Sequence, residues 1–186
     1  MNIQIKALTP DILDDFLYFF DNIAFSDNPD WATCYCHFYH FKGKIEEFFK
    51  RTAEENRKSS QELIISGKMK GFLAYLDNKV VGWCNANSKE NYAKIPFEEE
   101  SKYKIISIIC FVIAPLYRKQ GIARSLLKHV LSYYKEKNYD LIEVYPRKGD
   151  LLSDAHSYRG PKSLYTSEGF STYREFRDHY VMHKNL

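Results

Sequence analysis

Ile105-Ile106-Ser107-Ile108-Ile109-Cys110-Phe111-Val112-Ile113, followed by Ala114-Pro115-Leu116-Tyr117 and then Arg118-Lys119-Gln120-Gly121-Ile122-Ala123-Arg124-Ser125, carries three signals in succession. The first nine residues are apolar and rich in β-branched side chains, which reads as a buried strand that Pro115 ends. From Ile122 onward, Leu126, Leu127, Val130, Leu131 and Tyr134 recur at helical spacing, with Lys128, Ser132 and Lys135 on the other face. Between strand and helix lies a basic turn with a glycine. The first turn of a helix presents unpaired backbone N–H groups and the positive end of the dipole, and a glycine there lets a ligand come close. Arg118, Lys119 and Arg124 add charge and Ser125 adds a hydroxyl, a set suited to a diphosphate. The same pattern also serves an ordinary strand-to-helix turn, so neighbouring residues have to decide between the two.

Working outward toward the N-terminus, the polar stretch Asn87 to Glu100 leads into the strand, and its Glu98-Glu99-Glu100 run reads as a solvated patch or as an attraction for a cationic acceptor. A hairpin precedes it: Phe72, Ala74 and Leu76 alternate, Asp77-Asn78 turns the chain, and Val80 to Ala86 returns it. Earlier still, Ile3, Ile5 and Ala7 alternate as a half-buried strand. Thr9 then caps, and Pro10 opens, a helix bearing Ile12, Leu13, Phe16, Leu17 and Phe20, which should end before Pro29. A helical pattern begins near Lys44, Ser59 and Glu62 form a capping box for a separate short helix, and Gly67 stops it. Toward the C-terminus, Leu141 to Tyr145 is expected to lie parallel to the central strand. A polar loop from Arg147 to Gly160, a short helix from Pro161 to Gly169, and a hairpin from Thr172 to Phe176 and Tyr180 to Lys184 complete the chain.

Trp31-Ala32-Thr33-Cys34-Tyr35-Cys36-His37-Phe38-Tyr39-His40-Phe41 concentrates aromatic, thiol and imidazole groups without periodicity. It reads as a metal site, as aromatic cover for a sheet, or as the wall of an acceptor pocket. The ligand spacing is tighter than that of paired-ligand zinc signatures, so no metal is expected.

Composition bounds these readings. A chain of 186 residues, 45% hydrophobic and 16% aromatic, can bury one sizeable core, and a single domain over 1–186 is expected. A net charge of +3 does not point to a nucleic-acid partner. No apolar run approaches the length of a membrane span, and the acidic, aromatic N-terminus lacks signal-peptide features, which predicts a cytoplasmic protein. Cys34, Cys36, Cys84 and Cys110 form no disulfide framework.

The segment from Ile113 to Ala123 resembles the acetyl-CoA motif of the GNAT superfamily of N-acyltransferases, whose core is Arg/Gln-x-x-Gly-x-Gly/Ala. Leu164-Tyr165-Thr166-Ser167-Glu168-Gly169-Phe170 resembles the helix and turn carrying that family's usual tyrosine, and Gly71 to Tyr75 with Val80 to Trp83 resembles its hairpin. The resemblance implies an α/β fold with a central mixed sheet flanked by helices, and direct transfer of acetyl from acetyl-CoA to a primary amine of a small molecule or peptide. It places the backbone near Phe111 against the acetyl carbonyl and that near Val112 and Ile113 against pantetheine. The pyrophosphate falls to Arg118, Lys119, Gln120, Gly121, Ile122, Ala123, Arg124 and Ser125. Tyr165 corresponds to the proton donor for the thiolate, and Trp31, Tyr35 and His37 would line the acceptor pocket. Some family members have a glutamate base near the start of the central strand, where this chain has Ser107. That departure shifts the role to Glu143, His37 or a water relay. Tyr158 stands where an asparagine often faces pantetheine. The alternative is a non-catalytic acyl-CoA sensor or partner-binding protein, and homodimerisation stays open.

Overall fold

The computed structural model describes residues 2–96, 102–149 and 156–186. The acidic run at Glu98, Glu99 and Glu100 and the middle of the loop after Arg147 lie outside them. Seven strands form one sheet: β1 (Ile3–Ala7), β2 (Gly71–Leu76), β3 (Lys79–Ser88), β4 (Ile105–Ile113), β5 (Leu141–Val144), β6 (Ser171–Glu175) and β7 (Tyr180–Asn185). Their spatial order is β1-β2-β3-β4-β5-β7-β6. All neighbours run antiparallel except β4 and β5, which are parallel, as the strand-helix-strand crossover requires. The β2–β3 hairpin turns at Asp77 and Asn78, both with left-handed backbone (φ 50° and 62°), the geometry that matches the twist of a two-residue hairpin.

Helices cover both faces of the sheet. On one face α4 (Ile122–Glu136) buries Ile122, Leu126, Leu127, Val130 and Tyr134 against Phe72, Ala74, Val81, Ile106, Ile108 and Val144. On the other, α1 (Leu13–Asn22) packs Phe16, Phe19 and Phe20 against Leu73, Tyr75, Val80, Trp83 and Val112. Phe72 and Leu73 thus serve opposite cores, the two-residue alternation of a strand buried on both faces.

Local details depart from expectation at three places. Thr9 makes no side-chain cap, and Pro10–Ile12 forms a 3-10 turn ahead of α1. The pattern near Lys44 yields only the single turn α2 (Ile45–Phe48). No separate helix starts at Ser59, because α3 (Ala53–Ile65) runs through it. Its capping box sits instead at Thr52 and Glu55: Thr52 Oγ1 accepts the Glu55 N–H at 3.1 Å, and Glu55 Oε2 accepts the Thr52 N–H at 2.7 Å. Ser59 Oγ accepts a hydrogen bond from Arg51. Gly67 ends α3 in the left-handed region (φ 70°) as expected.

One irregularity shapes everything downstream. Asn85 pairs with Cys110 but Ala86 pairs with Ile108, so β4 carries an extra residue at Ile109. The bulge reverses the alternation, and Phe111 joins the same core face as Ile106 and Ile108. Pairing of β4 with β5 stops at the same point, at Ile108 opposite Val144.

Candidate active site

Beyond Ile108 the backbone of β4 has no β5 partner, and its edge from Ile109 to Ile113 faces the loop after β5. Ala114 donates its N–H to Val81 of β3, whereas Phe111 donates its N–H the other way, to the Tyr158 carbonyl at 2.6 Å. Arg118 Nε donates to the Ile113 carbonyl at 3.1 Å. On this strand edge Phe111 is thus bonded to the loop through Tyr158, and Ile113 to Arg118.

The basic turn follows. Lys119 and Gly121 take positive φ (61° and 83°), and a β-carbon built on Gly121 would meet nothing within 4 Å. The first backbone bond of α4 is Ser125 N–H to the Gly121 carbonyl, so the amides of Ile122, Ala123 and Arg124 open the helix without an i−4 acceptor. Ser125 Oγ also donates to that carbonyl. The guanidinium groups are paired: Arg118 with Asp27, one bond at 3.0 Å, and Arg124 with Glu168 at 2.7 Å. Arg118 holds the Asp27 carboxyl below the usual carboxylate range. Gln120 Nε2 donates to the Leu116 carbonyl at 2.9 Å.

A cavity of about 330 Å³ opens beside this edge. One wall is β4 itself, from Cys110 to Ile113, with Arg118 next to it. The facing wall is aromatic, built by Phe20 and Phe25 after α1, Trp31, Phe38, Tyr39, and Phe48 and Phe49 of α2. Tyr158 closes one side, edge-on to Trp31 with ring centroids 5.5 Å apart. The polar side chains at its margins include Asp30, Arg51 and Arg118.

Of the three residues expected to line an acceptor pocket, only Trp31 is among the lining residues. Tyr35 and His37 turn away because the segment from Thr33 to His37 is tied onto α3. Asn56 Nδ2 donates to the Thr33 carbonyl, Ser60 Oγ donates to the Tyr35 carbonyl, and His37 Nδ1 faces Asn56 Oδ1 at 3.1 Å. The Tyr35 hydroxyl donates to Asp21 at 2.7 Å, and its pKa is pushed up to about 12, first by burial and then by that carboxylate. Phe38, Tyr39, Phe48 and Phe49 line the cavity. Phe49 is 75% exposed, an apolar side chain at the pocket mouth.

Tyr165, on α5 (Lys162–Ser167), is fully buried. Its hydroxyl donates to the Arg159 carbonyl, and burial raises its pKa. Glu143 on β5 is buried opposite Ser107. It pairs with Lys89 at 2.7 Å and accepts the Tyr145 hydroxyl at 2.6 Å, while that hydroxyl lies 2.8 Å from Ser107 Oγ. Neither Tyr165 nor Glu143 lines the cavity. The Ser107–Tyr145–Glu143 chain was invisible in sequence, although Ser107 and Glu143 were each singled out. His37 and His40 are both held below the usual histidine pKa by burial, His40 at about 4. Among the described residues no three metal-binding side chains cluster, and no helix is long and apolar enough to cross a membrane.

The chain matches the model of the acetyltransferase (GNAT) family over residues 28–153. Among solved structures it resembles the PaiA N-acetyltransferase of Thermoplasma acidophilum in complex with coenzyme A, with 18% identity, a TM-score of 0.59 and 100% of both chains covered. It also resembles the ribosomal-protein-alanine N-acetyltransferase of Brucella melitensis, with 16% identity, a TM-score of 0.58, and 98% of this chain and 99% of that one covered. A GNAT-family acetyltransferase from Streptococcus pneumoniae shares 15% identity at a TM-score of 0.58, over 100% of this chain and 99% of that one. No curated protein matches. Identities this low speak for the fold alone, but the family model spans more than half of the chain. The diverging β4 edge, the glycine turn and the α4 N-terminus fall within it, and the chain belongs to the acetyltransferase (GNAT) family.

Proposed function

We propose that this chain, acting as a single domain, transfers acetyl from acetyl-CoA directly to a primary amine. The observation that carries the reading is the run of β4 edge beyond its pairing with β5, open glycine turn and α4 amides alongside an aromatic cavity. A thioester on that edge meets an amine held in the cavity. Gly121 and the amides of Ile122, Ala123 and Arg124 would hold the pyrophosphate, helped by Lys119, Arg118, Arg124 and Ser125. Gln120 shapes the turn, and Val112 and Ile113 lie beside pantetheine.

The amine attacks the acetyl carbonyl, the carbonyl oxygen becomes an oxyanion, and the C–S bond then breaks to release the CoA thiolate. The Phe111 N–H is the nearest backbone donor for that oxyanion, and the bond to Tyr158 must open for it to serve. An alkylammonium with a pKa of about 10.4 must first lose a proton. Glu143 lies outside the cavity and accepts from Tyr145, whose hydroxyl meets Ser107, so a role as base needs a proton path that continues beyond Ser107. Tyr165 returns a proton to the thiolate, which requires its hydroxyl to leave the Arg159 carbonyl. Trp31 and the aromatic wall suit an amine carried on an apolar body, either a small molecule or a peptide side chain, and the cavity is at the small end of ligand sites. The four free cysteines suit a cytoplasmic setting.

A second reading, a non-catalytic acyl-CoA sensor, is favoured by one observation: the hydroxyl of Tyr165 and the carboxylate of Glu143 are both engaged within the protein. Release of free CoA thiol across a panel of apolar primary amines separates the two. Amine-dependent release supports transfer, and acetyl-CoA binding with no release for any amine supports the sensor.

A further inference from the structure

Three of the four cysteines meet in the cavity wall. Cys34 and Cys36 come from the turn tied to α3, and Cys110 comes from β4 beside the bulge. Tyr35 and Cys36 both adopt left-handed backbone (φ 44° and 56°), uncommon for non-glycine residues and held here by the bonds to Asn56 and Ser60. The sulfur of Cys36 faces an amide donor. Asn85 Nδ2 donates to it at 3.2 Å. That amide has a fixed orientation, because the Tyr92 hydroxyl donates to Asn85 Oδ1 at 2.7 Å and leaves the NH₂ for Cys36 and, at 3.4 Å, His40 Nε2. His40 Nδ1 faces the Asn91 carbonyl at 3.1 Å, so Nδ1 carries the proton and Nε2 accepts. Trp83 Nε1 is the buried side-chain nitrogen left without a hydrogen-bond partner among the described residues.

Their surroundings separate the thiols chemically. Burial pushes Cys36 up, but neighbouring donors, the Asn85 amide among them, outweigh it and leave a net downward shift. Cys34 is pushed up to about 11, chiefly by burial. Cys84 is raised by burial, and Cys110 by its hydrogen bond to Cys36 and by burial. Only Cys36 is moved toward the thiolate, the form that reacts.

We propose that Cys36 and Cys110 are an oxidation-sensitive dithiol in this wall, with Cys36 as attacking thiolate and Cys110 as resolving thiol. The oxidant is a peroxide. The Cys36 thiolate attacks one peroxide oxygen, the O–O bond breaks, and the departing hydroxide takes a proton to leave as water, giving Cys36 sulfenic acid. The Cys110 sulfur then attacks the Cys36 sulfur, the S–O bond breaks, and a second water leaves as the disulfide forms. Two thiols have supplied two electrons to one peroxide. The bond fastens the turn at Cys36 to β4 next to Phe111, within the cavity wall. The inference rests on the thiols and not on the acceptor, and it holds whether or not the chain transfers acetyl.

The experiment exposes the whole chain to stepwise hydrogen peroxide, blocks remaining thiols with iodoacetamide, and maps peptides by mass. The expected product is one Cys36–Cys110 disulfide, reversed by dithiothreitol, with Cys84 blocked only after unfolding. Before oxidation, iodoacetamide at neutral pH should label Cys36 at least about tenfold faster than Cys34. In Cys110→Ser, dimedone should trap a sulfenic acid at Cys36. A Cys34–Cys36 disulfide, first oxidation at any other cysteine, or labelling of Cys36 no faster than in urea overturns the proposal. The wild-type map decides the matter even where a variant fails to fold.

Discussion

Tyr165 stands in a tight enclosure. Gly160 has left-handed backbone (φ 76°), and a β-carbon there would lie 2.7 Å from the phenol oxygen, so the hydroxyl has room only because Gly160 lacks one. Replacing Tyr165 by Phe leaves the Arg159 carbonyl without its donor, which should cost about 1–2 kcal/mol in denaturant unfolding. If the hydroxyl also protonates the thiolate, turnover falls about a hundredfold with acetyl-CoA affinity retained. Wild-type turnover in a variant for which transfer is rate-limiting would remove Tyr165 from the chemistry. His40 supplies a pH test. Its folded pKa of about 4 lies below the ordinary 6.5 because burial disfavours the cation. As pH falls through 6.5 the unfolded chain binds a proton that the folded chain refuses, so stability is full above that pH and declines toward about 4. The loss is on the order of 3 kcal/mol. His37 is lowered in the same direction and adds to it. Melting temperature should therefore drop across this window, less steeply in His40→Gln, and equal slopes in the two proteins would count against the assignment.

Among the elements, α3 depends most on its ends. Its buried residues are Asn56, Ser60 and Ile64, so little apolar burial supports thirteen residues of helix. Thr52→Ala removes the reciprocal cap and should cost about 1 kcal/mol, read as a lower denaturant midpoint at unchanged slope. The turn into α4 is the complementary case, because Gly121 has open space and positive φ but packs against nothing. Gly121→Asp sets a carboxylate at the amides proposed to hold a diphosphate and should abolish acetyl-CoA binding by calorimetry. Gly121→Ala brings the backbone strain without the charge, and it should weaken binding much less. Equal affinities for wild type and a folded Gly121→Asp would move the diphosphate elsewhere.

The molecule as a whole hangs on a strand out of sequence order. β7 enters the sheet between β5 and β6, so the last strand of the chain covers the edge of β5 beside the site. Removing residues 171–186 bares that edge and uncovers Ile142 and Val144, which pack in the same core as Met182. The truncated chain should aggregate or lose cooperative thermal unfolding, and a cooperative, monodisperse truncated protein would show that β6 and β7 are dispensable. The strand-turn-helix unit, the β2–β3 hairpin and the closing hairpin were all legible, because each is written in neighbouring residues. The box at Thr52 was missed in favour of Ser59 because both fit the same four-residue pattern, and only the continuity of α3 separates them.

From its residues alone this chain determined an α/β architecture, the central strand, the glycine turn before α4 and the resemblance to the GNAT family, since periodicity and turn chemistry act over a few residues. Tertiary structure alone decided the bulge at Ile109, the Phe111–Tyr158 bond, the ion pairs on Arg118 and Arg124, and which members of the aromatic run face the cavity. Tyr35 and His37 look no different from Phe38 and Tyr39 in sequence. What turns the first pair away is the set of side-chain bonds from Asp21, Asn56 and Ser60, residues 14 to 25 positions distant that only the packing of α1 and α3 brings into reach.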